Sequence, residues 1–460
     1  METGLSSFSS IILRKSFFNI YFSLHGEFGK TLSAAREMQW RPADDIREYQ
    51  WRKLSALIKH AYDNVPFYRE RMKKAGFSTG NINDFEQFRK IPILTKKDIN
   101  EHLDELVSAT ASKSSLLLNA TGGSTGAPVH YYQDKAMILG QWAATHRFFD
   151  WAGRAPWDHV AKLWGSSFDI ENAKPKTWKG NLYVRLFEGV KFFPAFEMNE
   201  RTFSEFAEYV RRFKPACVES YAVPLALTGK YILDRGIDLS GSGVRCAVTS
   251  AEKLIEDHRK IIESAFHCRV YDRYGGRELG NVAAECGSGG YHTADDFLYL
   301  EILNEDGSPA KEGASGKIVI TSLENFGMPF IRYQNDDMGT LATGGCECGR
   351  GLSRLKSIDG RIQGVITLGN GGFVSGVIFP HLFKDFDIKL YNIEQESLEY
   401  IKVRVVPGPD FGRKDEDFCK EVLSRHLPGM EIEFEKTDGI PAGPSGKFSF
   451  VTSKVKSPFS

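Results

Sequence analysis

Apolar residues recur at Leu54, Leu57, Ile58 and Ala61, the 3.6-residue spacing of one buried helical face. This spacing predicts helix through residues 43–76, broken at Asn64-Val-Pro-Phe-Tyr68 because Pro66 disfavours helical geometry at the residue before it. A second helix is predicted from Tyr68 to Ala75, and Ile91–Lys96 reads as a connector. From 129 to about 323 the pattern changes. Short apolar runs at His159–Trp164, Ala216–Glu219, Val244–Ser250 and Arg269–Asp272 alternate with amphipathic stretches such as Thr202–Phe213 and Ile255–Phe266. Strands alternating with helices predict an α/β fold whose sheets are covered by helices. Phe297–Leu303 and Lys317–Ser322 bracket Asn304-Glu-Asp-Gly307, a hairpin signal. Past a boundary at Arg354–Gly364, strands near Ile401–Val406, Glu431–Phe434 and Phe448–Val451 flank a helix near Asp415–His426, a small α+β unit. The expected organisation is an N-terminal extension (1–42), a large domain (43–360) and a C-terminal domain (361–460), with no internal repeat.

Composition narrows this picture. The 460 residues include 42% apolar residues, 33 Phe and 17 Tyr, enough for a large core. Lys+Arg and Asp+Glu are equal at 59, which gives no electrostatic footprint for nucleic acid. No apolar run approaches the ~18 residues of a membrane span. Seven cysteines are few for this length, so a reducing, cytoplasmic setting is expected rather than a disulfide scaffold. Segment 10–24 is rich in large apolar residues with Arg14 and Lys15 inside, and it has no small-residue cleavage site. Such a segment packs across its own protein or lies on a membrane surface.

Candidate chemistry is concentrated in five stretches. Thr121-Gly-Gly-Ser-Thr-Gly-Ala-Pro128 follows a short apolar run, Leu116–Leu118, and combines three glycines with three hydroxyls. Successive N–H groups and hydroxyls of that kind bind phosphate oxygens. It is neither a Walker A loop, lacking the lysine, nor the dinucleotide G-x-G-x-x-G. The others are Tyr274-Gly-Gly-Arg-Glu278, Ile331-Arg-Tyr-Gln-Asn-Asp-Asp-Met-Gly339, Ile358-Asp-Gly-Arg361 and Pro444-Ser-Gly-Lys447. Each alone reads as readily as a surface turn. Cys346-Glu-Cys348 forms a tight pair, and Cys286 and His292 lie C-x₅-H apart. These four are either unrelated or a Cys₃His zinc set, closed and therefore structural. Cys217, Cys246, Cys268 and Cys419 sit in apolar stretches and read as core.

Taken in order, the five motifs resemble those of the adenylate-forming acyl-CoA synthetase superfamily. The stretches Ala61-Tyr-Asp-Asn-Val-Pro-Phe-Tyr68 and Ile91-Pro-Ile-Leu-Thr-Lys96 are similar to the start of phenylacetate–CoA ligases. Within that family the chain looks nearest to the branch associated with capsule polysaccharide biosynthesis. The resemblance implies an α/β adenylate-forming domain with a mobile α+β C-terminal lid. It implies that Thr121, Gly122, Gly123, Ser124, Thr125 and Gly126 hold ATP, with Ser250, Ala251, Glu252, Tyr274, Gly275 and Arg361 completing the nucleotide site. Glu278 would hold Mg²⁺, Asp337 rather than Asp336 would accept the ribose hydroxyls, and Lys447 would be the catalytic cation brought in by the lid. Family members resembling this pattern bind zinc at residues matching Cys286, His292, Cys346 and Cys348. Ala127 stands where a lysine is common, Arg277 where Ser or Thr is usual and Gln363 where a hinge acid is usual, and Gly369–Gly376 departs from the CoA-ligase pattern. The implied reaction joins a small carboxylic acid to AMP and passes the acyl group to the thiol of CoA, or to an amine or hydroxyl. The acid is expected to meet Trp164–Phe168, Tyr221 and Ser250-Ala251. The alternatives are a non-catalytic nucleotide-binding protein on the same fold and an AMP-transferring nucleotidyltransferase.

Overall fold

The structure is a computed structural model that describes residues 15–16, 26–78, 82–120, 129–165, 189–196, 198–304, 306–359, 365–376, 378–383, 386–440 and 450–455. Its longer helices are α1 (Gly26–Met38), α2 (Ala43–Asn64), α3 (Pro66–Lys74), α4 (Lys135–Trp151), α5 (Glu200–Phe213), α6 (Ala222–Asp234), α7 (Glu256–Phe266) and α8 (Arg413–His426). The strands are β1 (Leu117–Ala120), β2 (His130–Gln133), β3 (Val160–Leu163), β4 (Val190–Phe193), β5 (Cys217–Tyr221), β6 (Cys246–Ser250), β7 (Arg269–Gly276), β8 (Gly280–Glu285), β9 (Tyr291–Thr293), β10 (Leu298–Leu303), β11 (Ser315–Ser322), β12 (Tyr333–Leu341), β13 (Arg354–Asp359), β14 (Val365–Thr367), β15 (Phe373–Ser375), β16 (Ile388–Gln395), β17 (Tyr400–Pro407), β18 (Glu431–Lys436) and β19 (Val451–Ser453).

The expected α/β architecture is what forms. Eleven strands make one sheet in the order β10-β11-β12-β13-β9-β8-β7-β6-β5-β3-β4. From β4 to β7 the pairing is parallel, as β-helix-β connections require; from β7 through β10 it is antiparallel. The change of direction falls between β7 and β8, where the Tyr274–Glu278 motif lies. Helices α5, α6 and α7 bury Phe206, Val210, Leu225, Ile262 and Ala265 in one core with Val218, Ala247 and Val270 of the parallel strands.

Pro66 sits at the first position of α3, so this helix starts two residues before the expected Tyr68. A proline tolerates that position because its missing N–H would be unpaired there anyway. The Val65 break survives as an extended residue between α2 and α3. The connector at Ile91–Lys96 is pinned by a parallel bridge from Leu94 to Tyr333. Cys217, Cys246 and Cys419 are buried as expected, whereas Cys268 is half-buried.

Within the N-terminal extension, α1 docks on α4 through Phe28, Leu32, Ala35 and Ala143, and Arg36 pairs with Asp150 at 2.7 Å. Apart from Lys15 and Ser16, the apolar segment 10–24 lies outside the described residues. Among the described residues no helix is long and apolar enough to cross a membrane. At the C-terminus β18-β17-β16-β19 form a separate four-stranded sheet under α8. Buried Gln395 on β16 ties the β14–β15 hairpin to it, donating to Thr367 O at 2.6 Å and accepting from Thr367 N at 3.0 Å. The same hairpin meets the large domain where Phe373 N donates to Met198 O at 2.7 Å.

Candidate functional site

The site is built where β7 turns into β8. A side chain at Gly275 would put its Cβ 2.1 Å from Gly280 O, so only glycine permits this tight return. The turn presents Tyr274 and Glu278 on adjoining backbone. Facing them, β12 leaves register: Gln334 to Met338 spans four residues while the paired Val319 to Lys317 spans two. Extra residues in one strand re-aim side chains. Here they bring Asn335 and Asp337 to Tyr274.

Tyr274 Oη donates to Asp337 Oδ2 at 2.9 Å, and Asn335 Nδ2 donates to the same oxygen at 3.0 Å and to Tyr274 Oη at 2.6 Å. Asp337 N donates to Asn335 Oδ1 at 3.3 Å. Burial, reinforced by the Asp337 carboxylate, pushes the Tyr274 pKa well above its ordinary value, so the phenol stays protonated and remains a donor. Glu278 is held from β12 as well: Tyr333 Oη donates to Glu278 Oε1 at 3.1 Å. Beside it stands Tyr131 of β2, fully buried, with a hydroxyl that has no partner among the described residues. Burial first, and the nearby Glu278 charge second, raise the Tyr131 pKa.

The arginine of the β12 motif is structural. Arg332 is buried in the left-handed region at φ 53°, and its Nε donates to Glu301 Oε2 at 3.0 Å. Its Nη1 donates to Ile91 O at 2.7 Å, which joins the connector to the site strand. Ser250 and Ala251 lie at the end of β6, with Ala251 at φ 67°. Glu252 is buried and accepts from Val223 N at 2.8 Å, capping the start of α6. Trp164 stacks on Tyr221 with ring centroids 4.3 Å apart, and Phe196 stacks on the same ring at 5.9 Å. Thr121, Gly122, Gly123, Ser124, Thr125, Gly126, Phe168, Arg361 and Lys447 lie outside the described residues. Asn335, Tyr333 and Tyr131 escaped the sequence reading. Tyr333 and Asn335 stand inside a motif already singled out, so their proximity was available as a signal; the burial of Tyr131 was not.

Cys286 and Cys346 are 60 positions apart in sequence and His292 and Cys348 56, and the fold closes the two halves into a second cluster. Ligand atoms of Cys286, His292, Cys346 and Cys348 all lie within 4.8 Å of one another. Cys286 Sγ and Cys346 Sγ are 3.6 Å apart, and His292 Nε2 and Cys348 Sγ 3.2 Å. Ligands of a tetrahedral zinc are spaced about 3.5–3.8 Å apart. His292 Nδ1 lies 3.1 Å from Leu352 O, the partner that fixes Nε2 as the lone-pair nitrogen. Burial lowers the His292 pKa to about 4, keeping the ring neutral as a metal ligand must be. Burial raises the Cys286 thiol to about 11; for Cys348 burial is outweighed by Arg350 and the neighbouring thiols, and its pKa is lowered.

A family model described as the CapK C-terminal domain matches residues 366–454. The chain is 28% identical over 362 residues to the phenylacetate–coenzyme A ligase of Escherichia coli K12, covering 76% of this chain and 78% of the relative. It is 23% identical over 425 residues to the protein CapK of Staphylococcus aureus, covering 90% and 91%. Among solved structures, 2-hydroxyisobutyryl-CoA ligase in complex with 2-HIB-AMP and CoA is similar with a TM-score of 0.64 at 21% identity, covering 91% of this chain and 92% of that one. That last likeness concerns the fold.

Proposed function

We propose that this relative of the phenylacetate–CoA ligases and of CapK is an adenylate-forming ligase that activates a carboxylic acid with ATP and passes the acyl group to CoA. The observation that carries this reading is the meeting of Tyr274 and Asp337, 63 residues apart, at the point where the sheet changes direction. Tyr274 stands just past the carboxyl end of the parallel pairing of β7 with β6, and open α/β sheets bind ligands outside the carboxyl ends of their parallel strands. An ionised carboxylate offers about four lone-pair sites, so Asp337 can accept ribose hydroxyls while Tyr274 and Asn335 fix its orientation. The buried Tyr131 hydroxyl beside Glu278, without a partner among the described residues, fits a polar cluster completed by phosphate and a cation. Mg²⁺ bound there would neutralise phosphate charge; Glu278, a hard oxygen ligand steadied by Tyr333, is the residue to hold it. The 121–126 loop supplies N–H groups and hydroxyls to the phosphates, and Lys447 stabilises the charge that develops as the acid attacks the α-phosphate. The Cys286, His292, Cys346 and Cys348 spacing fits Zn²⁺, which would supply structural cross-linking and no chemistry.

The remaining parts of this reading are a C-terminal lid that carries Lys447, a thiol rather than an amine or hydroxyl acceptor, and a place in surface polysaccharide assembly. Carboxylate-dependent exchange of labelled pyrophosphate into ATP is the test. It is expected with at least one acid from a broad panel. Lys447→Ala should lower it on the order of a hundredfold to a thousandfold, with ATP affinity little changed. ATP binding without exchange for any acid would favour a nucleotide-binding protein, and normal exchange in Lys447→Ala would remove the lysine from the mechanism.

A further inference from the structure

Lys162 and Glu219, one pair of residues deeper along β3 and β5 than Trp164 and Tyr221 and on the same face, centre a cluster of charge that Arg273 joins from the row of Tyr221. Glu219 on β5 is 2% exposed and accepts from Arg154 Nη1 at 2.7 Å, Lys162 Nζ at 2.9 Å and Arg273 Nη2 at 2.9 Å. The three cations are largely buried too, with side-chain exposures of 14%, 20% and 9%. Among the described residues Glu219 is the acid that pairs with all three, so three cations against one carboxylate leave a formal charge of +2.

The other hydrogen bonds and ring contacts are to neutral groups, while the Asp272 carboxyl acts on Arg273 without a direct bond. Arg273 Nη1 donates to Asn281 Oδ1 at 3.1 Å, Arg154 lies 3.7 Å from the centre of the Phe149 ring and Lys162 lies 4.3 Å from that of Trp164. Arg273 Nε is buried with no acceptor among the described residues. Burial pulls the Arg273 pKa below its ordinary value despite Glu219. A cation over an aromatic ring recovers less than leaving a buried charge unpaired costs. A cluster serving only to hold the sheet together would be cheaper with a second acid or with one fewer cation.

Its position gives the excess a use. Lys162 packs under Trp164, which stacks on Tyr221, and Arg273 pairs with Ser250 across the ladder and immediately precedes Tyr274. We infer that Arg154, Lys162 and Arg273 form an oxyanion subsite in the floor of the acyl pocket, so that the acid activated here carries a second anionic group. This rests on the ligase reading above. Two residues of strand separate Lys162 from the row of Trp164 and Tyr221, about 6.6 Å, which sets the distance between the reacting carboxylate and the second group. A second carboxylate and a phosphonate or phosphate share this chemistry.

The test is calorimetric titration of the full chain with glutarate, adipate, their monomethyl esters and 3-phosphonopropionate, beside acid-dependent pyrophosphate release. A diacid of matching length should bind at least about tenfold tighter than its monoester, the scale of one charge-assisted contact. Lys162→Met should erase the preference and Lys162→Arg should keep it. A phosphonate preference over both diacids would identify the phosphate-like source. Equal binding of esters and diacids, a preference that survives in Lys162→Met, or binding of no anionic probe would each overturn the subsite. A diacid preference in calorimetry without pyrophosphate release from any acid would instead sink the ligase reading and leave the subsite standing.

Discussion

Replacing Cys348 by serine tests the metal site most directly. The four ligand atoms already lie within 4.8 Å of one another, so little rearrangement opposes zinc binding. The thiols, however, must lose protons. Burial pushes the Cys286 thiol up to about 11, so at pH 7 its deprotonation opposes metal binding. His292, at about 4, is already neutral and releases nothing. Between pH 6 and 8 the single proton released by Cys286 should therefore raise the apparent zinc affinity about tenfold per pH unit. At free zinc a thousandfold above Kd, binding to the folded state adds ~4 kcal/mol of stability. The assays are zinc content by mass spectrometry, competition with a chromogenic chelator across pH, and thermal melting with and without chelator. Wild type should hold one zinc and melt lower when stripped. Cys348→Ser should lose the metal and melt at the stripped temperature, with no further response to chelator. Zinc-free protein that melts identically with and without added zinc, or an affinity flat between pH 6 and 8, would refute the site.

Asp337→Ala should weaken ATP binding about tenfold to a hundredfold in calorimetry, because a charge-assisted acceptor is lost and Tyr274 and Asn335 lose their common partner; unchanged affinity would place the ribose elsewhere. Glu278→Gln should raise the Mg²⁺ concentration needed for half-maximal pyrophosphate exchange while ATP binding measured without Mg²⁺ stays the same, and a uniform loss of both would point to a packing role. Burial, opposed by hydrogen bonds from Thr249 and Tyr291, holds Asp272 at about 7, above its unfolded value. A raised folded pKa means stability that is complete below the unfolded pKa and lost as pH rises through the folded one. Between pH 4 and 7 wild type should lose up to about 4 kcal/mol that Asp272→Asn retains, measured by urea midpoints; parallel pH profiles for the two proteins would contradict this.

Local patterning was enough to specify the elements, because periods of 3.6 and 2 residues and the geometry of proline and glycine act over a few residues. The amphipathic stretches became α5 and α7, the apolar runs became β3, β5, β6 and β7, and the order of motifs along the chain pointed to the adenylate-forming enzymes. The chemistry of the Cys and His residues was equally legible as types and spacing. Their meeting was not, since Cys286 and Cys346 are 60 residues apart and only the pairing of β13 with β9 closes the gap. Nothing in the string Gln334–Met338 announces that β12 must leave register there, and it is at this departure that Asn335 and Asp337 reach Tyr274. Lys162, Glu219 and Arg273 looked like ordinary charges in or beside strand runs; the parallel ladder stacked them on one face and took them out of water. Which charges share a face, and which are buried together, depends on strand order and register, and those are settled by contacts between segments that no local pattern encodes.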